Sequence, residues 1–428
     1  MTTRPIKSTV KIDNIINNAV FSTDSLQRET SRRAIREEAS ARGIFLASIQ
    51  NFYNAAGDGR LSGVSVPAIN IRGMTYHVAR AVFRAAIKGN VGAFIFEIAR
   101  SEIGYTKQRP YEYATCILAA AIRENFKGPV FVQGDHFQVN RAKYATEPET
   151  ELKAIKELTQ EAVVAGFYNI DIDSSTTVNL DKLSHNEQQE NNSRITAEMT
   201  KFIRSIEPAG ITISVGGEIG EIGRGNSTVE DLRAFMTEYR RYVPSGIQGI
   251  SKVSVQTGTV HGGVVLPNGS IAEVNLDFET LEKLSRVARE EFGLGGAVQH
   301  GASTLPEEAF DKFPQTGTLE VHLATGFQNM IYDSPYFPED LLKEIYAHIL
   351  SKYADDKKQG ETDQQFIYKT RKKTFGDFKE EIWSLPKENL NGIRKTLEDR
   401  FYFIFQNLNA IDTKNTVNKL IENPSPPV

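Results

Sequence analysis

Short runs rich in β-branched and aromatic residues alternate along the chain with longer stretches whose apolar positions recur every three or four residues. The runs are "VPAINI" (66–71), "VGAFIFEI" (91–98), "PVFVQ" (129–133), "FYNIDID" (167–173), "ITISV" (211–215), "ISKVSVQ" (250–256), "AVQH" (297–300) and "LEVHL" (319–323). Between them, "TYHVARAVFRAAIK" (75–88), "ETELKAIKELTQEAVVAG" (149–166) and "DFETLEKLSRVAREEFG" (277–293) carry the spacing of amphipathic helices. Eight strands alternating with helices predict an α/β fold, a (β/α)8 TIM barrel. The competing doubly wound sheet needs a Gly-rich phosphate loop after its first strand, and "VPAINIRGMT" has none.

Both ends stand outside this alternation. "SLQRETSRRAIREEASARGIFLASIQNFYNAAG" reads as a charged helix leading into the barrel, with a break at "AAGDGRLSG". After residue 335, "SPYFPEDLLKEIYAHILSK" starts a helix, "DDKKQGETDQQ" is a polar linker, and "ENLNGIRKTLEDRFYFIFQNLNAI" is a helix with an apolar face. Three parts are therefore expected: an N-terminal helical extension (1–62), the barrel (63–335) and a C-terminal helical tail (336–428). The apolar face of the last helix needs a partner, either the barrel or a second subunit. On that ground a homo-oligomer, dimer or tetramer, is expected.

Composition narrows the function. With 40% hydrophobic and 24% charged residues, the chain of 428 residues is ordinary for a globular protein. Its formal charge of −4 offers no basic footprint for nucleic acid. The single cysteine, Cys116, excludes an intramolecular disulfide framework and any multi-cysteine zinc site, and "EYATCILAA" places it in a helix core. No run is long enough for a membrane span and "MTTRPIKSTVKIDN" lacks a signal-like apolar stretch, so a cytoplasmic location without membrane partners is expected.

In a barrel of this kind, chemistry gathers where strands end. The third run ends in Asp135-His136, and the fourth in Asp171-Ile172-Asp173-Ser174. The fifth leads into "GGEIGEIGRGNST" with Glu218 and Glu221, the sixth into "TGTVHGG" with His261, and the seventh into "QHGAS" with His300. Three of the seven histidines, His136, His261 and His300, thus fall on one rim and make a credible divalent-metal site with a position open to substrate. His77, His185 and His348 sit in helix or loop contexts and read as structural. "HGG", "HGAS" and "ATG" (324–326) add bare backbone N–H groups and hydroxyls, a usual way to hold phosphate.

Taken in order, these segments resemble the class II, metal-dependent ketose-bisphosphate aldolases, a family with fructose- and tagatose-bisphosphate branches. The likeness runs over roughly residues 64–333, through "VPAINIRGM", "GDH", "DIDSS", "EIG", "TGTVHGG…LDFETL" and "QHGASTLPEE". It implies reversible aldol cleavage of a ketose 1,6-bisphosphate to dihydroxyacetone phosphate and an aldehyde. Fructose 1,6-bisphosphate is the default substrate, and tagatose 1,6-bisphosphate or another phosphorylated ketose comes next. It further implies Zn2+ or another divalent transition metal on His136, His261 and His300, with Glu218 near an alternative metal position. Asp135 corresponds to the acid/base at the C4 hydroxyl, and Asp173 to a site-lining acid. Gly262, Gly301, Ser303 and Thr325 correspond to groups that hold the dihydroxyacetone-phosphate end. A monovalent cation, Na+ or K+, is often bound near the first of these loops.

Departures fall on the substrate end. The family's Gly-Gly-x-Glu-Asp cluster, one acid of which serves the C3 proton, is replaced by "EIGRGNST", so that either Glu221, three or four residues earlier, substitutes or the loop is rebuilt. In the last strand the family's Asn and Lys become His322 and Glu320, which assigns His322 to substrate binding. A Ser common after the second strand appears as Ala99. The missing carboxylate motivates an alternative, a non-catalytic aldolase-like scaffold or sensor that binds sugar phosphate. Another metal-dependent barrel enzyme, such as a hydrolase, is a weaker reading, since the chain lacks an early His-x-His strand.

Overall fold

The computed structural model describes residues 9–220, 225–258, 266–267 and 276–423. Its sheet contains nine parallel strands: β1 (Ile44–Ala47), β2 (Val66–Asn70), β3 (Ile95–Ala99), β4 (Gly128–Gln138), β5 (Asn169–Asp173), β6 (Ser214–Glu218), β7 (Lys252–Val255), β8 (Ala297–Gln299) and β9 (Glu320–Leu323). Strands β2 to β9 pair in sequence order, and the β2–β9 pairing closes them into the expected (β/α)8 barrel. The helix at Thr75–Lys88 spans the residues its periodicity predicts, and Pro148–Ala165 and Phe278–Glu290 lie within about one to three residues of theirs.

Strand β1 is the departure. The stretch read as one charged helix is broken into helices at Ser25–Ala41 and Gln50–Gly57, with Ile44–Ala47 between them in the sheet. Four residues are too few for a periodicity to stand out, and Gly43, at φ +71°, ends the preceding helix. The long strand β4 makes room for the insertion. Its residues 128–131 pair with β1, while Gln133 onward pairs with β5. Asn169 splices the junction: its Nδ2 donates to the Val132 carbonyl at 3.0 Å and its Oδ1 accepts from the Ile49 N–H at 2.9 Å.

The following helix then plugs one end of the barrel. Ile49, Phe52 and Tyr53 join Ala68, Ile95 and Phe131 in an apolar cluster separate from the main core between strands and helices. The Tyr53 hydroxyl reaches the Glu320 carboxylate in the barrel interior. The extension is thus part of the barrel's packing.

The C-terminal helix Lys387–Asn407 packs on Thr75–Lys88. It buries Leu390, Ile393, Leu397, Phe401, Ile404 and Phe405, each contributing about 1.5–3 kcal/mol of hydrophobic stabilisation. The barrel itself therefore covers the apolar face that suggested self-association. Cys116 lies at 1% exposure in the helix Pro110–Glu124, as its sequence context predicts. Among the described residues, no helix is long and apolar enough to cross a membrane.

Candidate active site

Strand β4 explains how two adjacent residues reach one cavity. Alternation would send Asp135 and His136 to opposite faces. Instead, the β4–β5 register shifts between Gly134 and Phe137, and His136 takes φ +40°. A bulge of this kind inserts one extra residue and re-aims a side chain. Asp135 and His136 both face the interior, while Phe137 stays in the outer core against Gly134, where a Cβ would strike its ring.

His136 Nδ1 lies 2.9 Å from Asp173 Oδ2 and 3.3 Å from Glu218 Oε2. A carboxylate behind Nδ1 fixes the ring's orientation and directs Nε2 into the site. Nε2 stands 3.7 Å from Asp135 Oδ1. The His300 ring lies with its centroid 4.3 Å from that of His136, and its Nε2 shares a hydrogen bond of 2.9 Å with Ser254 Oγ. Asp135, His136 and His300 offer ligand atoms all within 4.8 Å of one another, and so do His136, Asp173 and Glu218. Imidazole with carboxylate suits a divalent transition metal, so this donor set fits the predicted ion.

Beneath lies a charged layer that the sequence reading largely missed. Lys252 Nζ sits 3.0 Å from Asp171 Oδ2, 2.5 Å from Glu320 Oε1 and 2.7 Å from Gln133 Oε1. Gly216 leaves it space, since a Cβ there would meet the Asp171 carboxylate. His322 Nδ1 faces Glu97 Oε2 at 3.0 Å and Asp135 Oδ1 at 3.3 Å, and its Nε2 faces Glu320 Oε1 at 2.6 Å. Because both ring nitrogens meet carboxylates, the doubly protonated ring is favoured. His322 stacks beside His300, with centroids 4.0 Å apart.

Six buried carboxylates, Glu97, Asp135, Asp171, Asp173, Glu218 and Glu320, share this interior. Burial, then the neighbouring Asp135, pushes Glu97 up to about 7. Burial and Asp173 push Glu218 up to about 7, with His136 opposing. Burial raises Asp171 to about 6, against the pull of Lys252. Glu320 is held well below the usual range because Lys252 and His322 outweigh its burial. For His136, burial opposes the charged ring, but Asp135, Glu218 and Asp173 prevail and raise it. For Lys252, burial opposes the ammonium, but Asp171 and Glu320 outweigh it and raise its pKa.

Above this floor opens a cavity of about 500 Å3. Its rim carries Arg72, Arg100, Lys143 and Lys372. Acidic groups lie below, where a cation would sit, while on the rim Arg72 pairs with Glu102 and Arg100 with Glu151, and Lys143 and Lys372 add further positive charge. Gly301, Ser303 and Thr325 line the same wall, and Ser303 Oγ accepts from the Gly326 N–H at 3.0 Å. Asp135, His136, His300 and His322 line it too, while Asp173 and Glu218 stand behind His136. Glu221, His261 and Gly262 lie outside the described residues. A signal for the missed groups existed: Glu97, Lys252 and Glu320 are charges embedded in otherwise apolar strand runs.

A closed parallel barrel with imidazoles and carboxylates gathered at its strand ends is an arrangement that could hold a metal ion. The family model for class-II fructose-bisphosphate aldolases matches residues 50–382, and the chain belongs to that family. The family in general depends on a divalent metal.

Solved structures agree on the fold. A probable tagatose 6 phosphate kinase from Sinorhizobium meliloti 1021 superposes with a TM-score of 0.57 at 14% identity, covering 83% of this chain and 98% of that one. Fructuronate-tagaturonate epimerase from Cohnella laeviribosi gives 0.57 at 11% identity, with 81% and 82% covered. A candidate fructose-1,6-biphosphate aldolase from Coccidioides immitis gives 0.50 at 17% identity, with 86% and 97% covered. No curated protein matches the chain.

Proposed function

We propose that the protein catalyses the reversible, divalent-metal-dependent cleavage of a ketose 1,6-bisphosphate, fructose 1,6-bisphosphate first and tagatose 1,6-bisphosphate next, to dihydroxyacetone phosphate and an aldehyde. The observation that carries this reading is the meeting of His136 and His300 beside Asp135, with ring centroids 4.3 Å apart, at the foot of a cavity with a basic rim. His136 and His300 would hold the ion, joined by His261 from outside the described residues, with Glu218 at an alternative position. A divalent cation there would supply Lewis acidity toward the carbonyl and neighbouring hydroxyl oxygens of the ketose.

The chain's own groups do the rest. Asp135 takes the proton of the C4 hydroxyl as the C3–C4 bond breaks, and returns it in condensation. Asp173 keeps His136 oriented through Nδ1. Gly301, Ser303 and Thr325 hold the phosphate that anchors the dihydroxyacetone end, and His322 lines the floor beneath it. Glu221 is the group assigned to the C3 proton.

A coupled assay over a panel of ketose phosphates, with and without zinc, tests this. Release of dihydroxyacetone phosphate that a chelator stops, zinc restores and borohydride leaves untouched is expected. Cleavage unaffected by complete metal removal would overturn it, and binding without turnover would favour the sugar-phosphate scaffold instead.

A further inference from the structure

The C-terminal segment outside the barrel enters the cavity. Lys372 lies on a turn (Arg371–Lys373) that is pinned on three sides. Arg371 donates to Asp333 Oδ1 at 2.6 Å and to Asn329 Oδ1 at 2.7 Å. Thr374 Oγ1 and the Tyr332 hydroxyl share a hydrogen bond of 2.8 Å. On the far side, Phe375 packs on Gly73 and Gly376 on the Tyr105 carbonyl, so closely that a Cβ at either glycine would collide. Lys372 is thereby aimed at one place.

That place already holds a fixed cation. Arg72 Nε donates to Glu102 Oε1 at 2.7 Å, and its Nη1 to Thr325 Oγ1 at 3.1 Å and Gln328 Oε1 at 3.0 Å. Glu102 is in turn occupied by the Asn70 amide at 2.7 Å and the Ala99 N–H at 2.8 Å. Lys372 forms no ion pair among the described residues, and its Nζ rests 5.9 Å from the centroid of the Tyr105 ring. Burial, then the charge of Arg72, pulls the Lys372 ammonium down, with Glu102 opposing. Two basic side chains that line one cavity, Arg72 bonded to the Thr325 hydroxyl and Lys372 without an ion pair among the described residues, match the chemistry of a bound phosphate.

We propose that Lys372 and Arg72 clasp the phosphate group of the ligand beside Thr325, making the C-terminal segment part of the binding site of its own barrel. This deepens the aldolase reading and rests on it for the ligand's class. The segment then contributes recognition as well as packing, because its turn is the only described part of the tail that lines the cavity.

The test is calorimetric titration of the zinc-supplemented full chain with dihydroxyacetone phosphate and with inorganic phosphate. Lys372→Met, which keeps the stem and removes the charge, is expected to weaken dihydroxyacetone phosphate binding by about 10- to 100-fold. Lys372→Arg, which keeps the positive charge, should bind more tightly than Lys372→Met. Lys373→Ala, whose Nζ pairs with Asp356 at 2.7 Å, should bind as the native chain does. Native affinity in Lys372→Met, or no affinity of the native chain for either probe, overturns the inference. A chain that holds dihydroxyacetone phosphate through Lys372 and cleaves nothing would refute the reaction alone. Turnover of a ketose bisphosphate with unchanged KM in Lys372→Met would refute the clasp alone.

Discussion

His136 and Asp173 meet through Nδ1 and Oδ2 at 2.9 Å, across the β4–β5 seam whose bulge turns His136 inward. The contact ties a backbone irregularity to the orientation of a prospective metal ligand. Asp173 is itself held by the Ser175 hydroxyl at 2.7 Å and the Gln138 amide at 2.5 Å. Its carboxyl is accordingly kept below the usual range, since these bonds and His136 outweigh burial.

Asp173→Ala should therefore loosen metal without removing a ligand. Zinc affinity, measured by competition with a chromogenic chelator, is expected to drop about 10- to 100-fold. Unaltered zinc affinity would show that the seam does not orient the ligand.

Asp135→Asn separates proton transfer from metal binding. Turnover of the best ketose bisphosphate should fall about 10²- to 10⁴-fold, while metal content by elemental analysis stays near the native value. Turnover within a factor of about three would remove Asp135 from its acid/base role.

Lys252→Met leaves Asp171 and Glu320 facing each other without their ammonium. Breaking a buried ion network in this way costs about 3–5 kcal/mol. The loss should be visible as a lower urea midpoint at neutral pH, and an unchanged midpoint would argue that the network is energetically idle.

Glu97 supplies a pH dependence with a defined sign. Its folded pKa is raised to about 7 from an ordinary 4.5, so the folded chain keeps a proton that the unfolded chain has lost. That contribution to stability is present below the unfolded value and is lost as pH rises toward the folded one. Metal-free Glu97→Gln should consequently gain on the native chain by several degrees in Tm between about pH 5 and pH 7.5. A difference that stays constant across this window would contradict the raised pKa.

Much of the site was legible because its chemistry sits next to strong local patterns. Asp135, His136 and His300 follow apolar strand runs, and Gly301 and Ser303 occupy a turn whose composition already suggests oxyanion binding. Arg72 and Lys372 were not legible. Arg72 ends a strand segment that shows only its apolar pattern, Lys372 is the middle of the basic run Arg371-Lys372-Lys373 in the tail, and both line one cavity only because the tail folds back over the barrel. Strand β1 was hidden for a related reason: its four residues become a strand by filling the free lower edge of β4.

Order along the chain thus settled the eightfold alternation, the helix periods and the residue types at the strand ends, since these are carried by local propensity and the spacing of apolar side chains. Tertiary packing decided which charges face one another: the bulge that aims His136, the Lys252 network under the floor, and the tail lysine on the rim. Such pairings join residues far apart in sequence, and their energies depend on burial and distance, which no local pattern encodes.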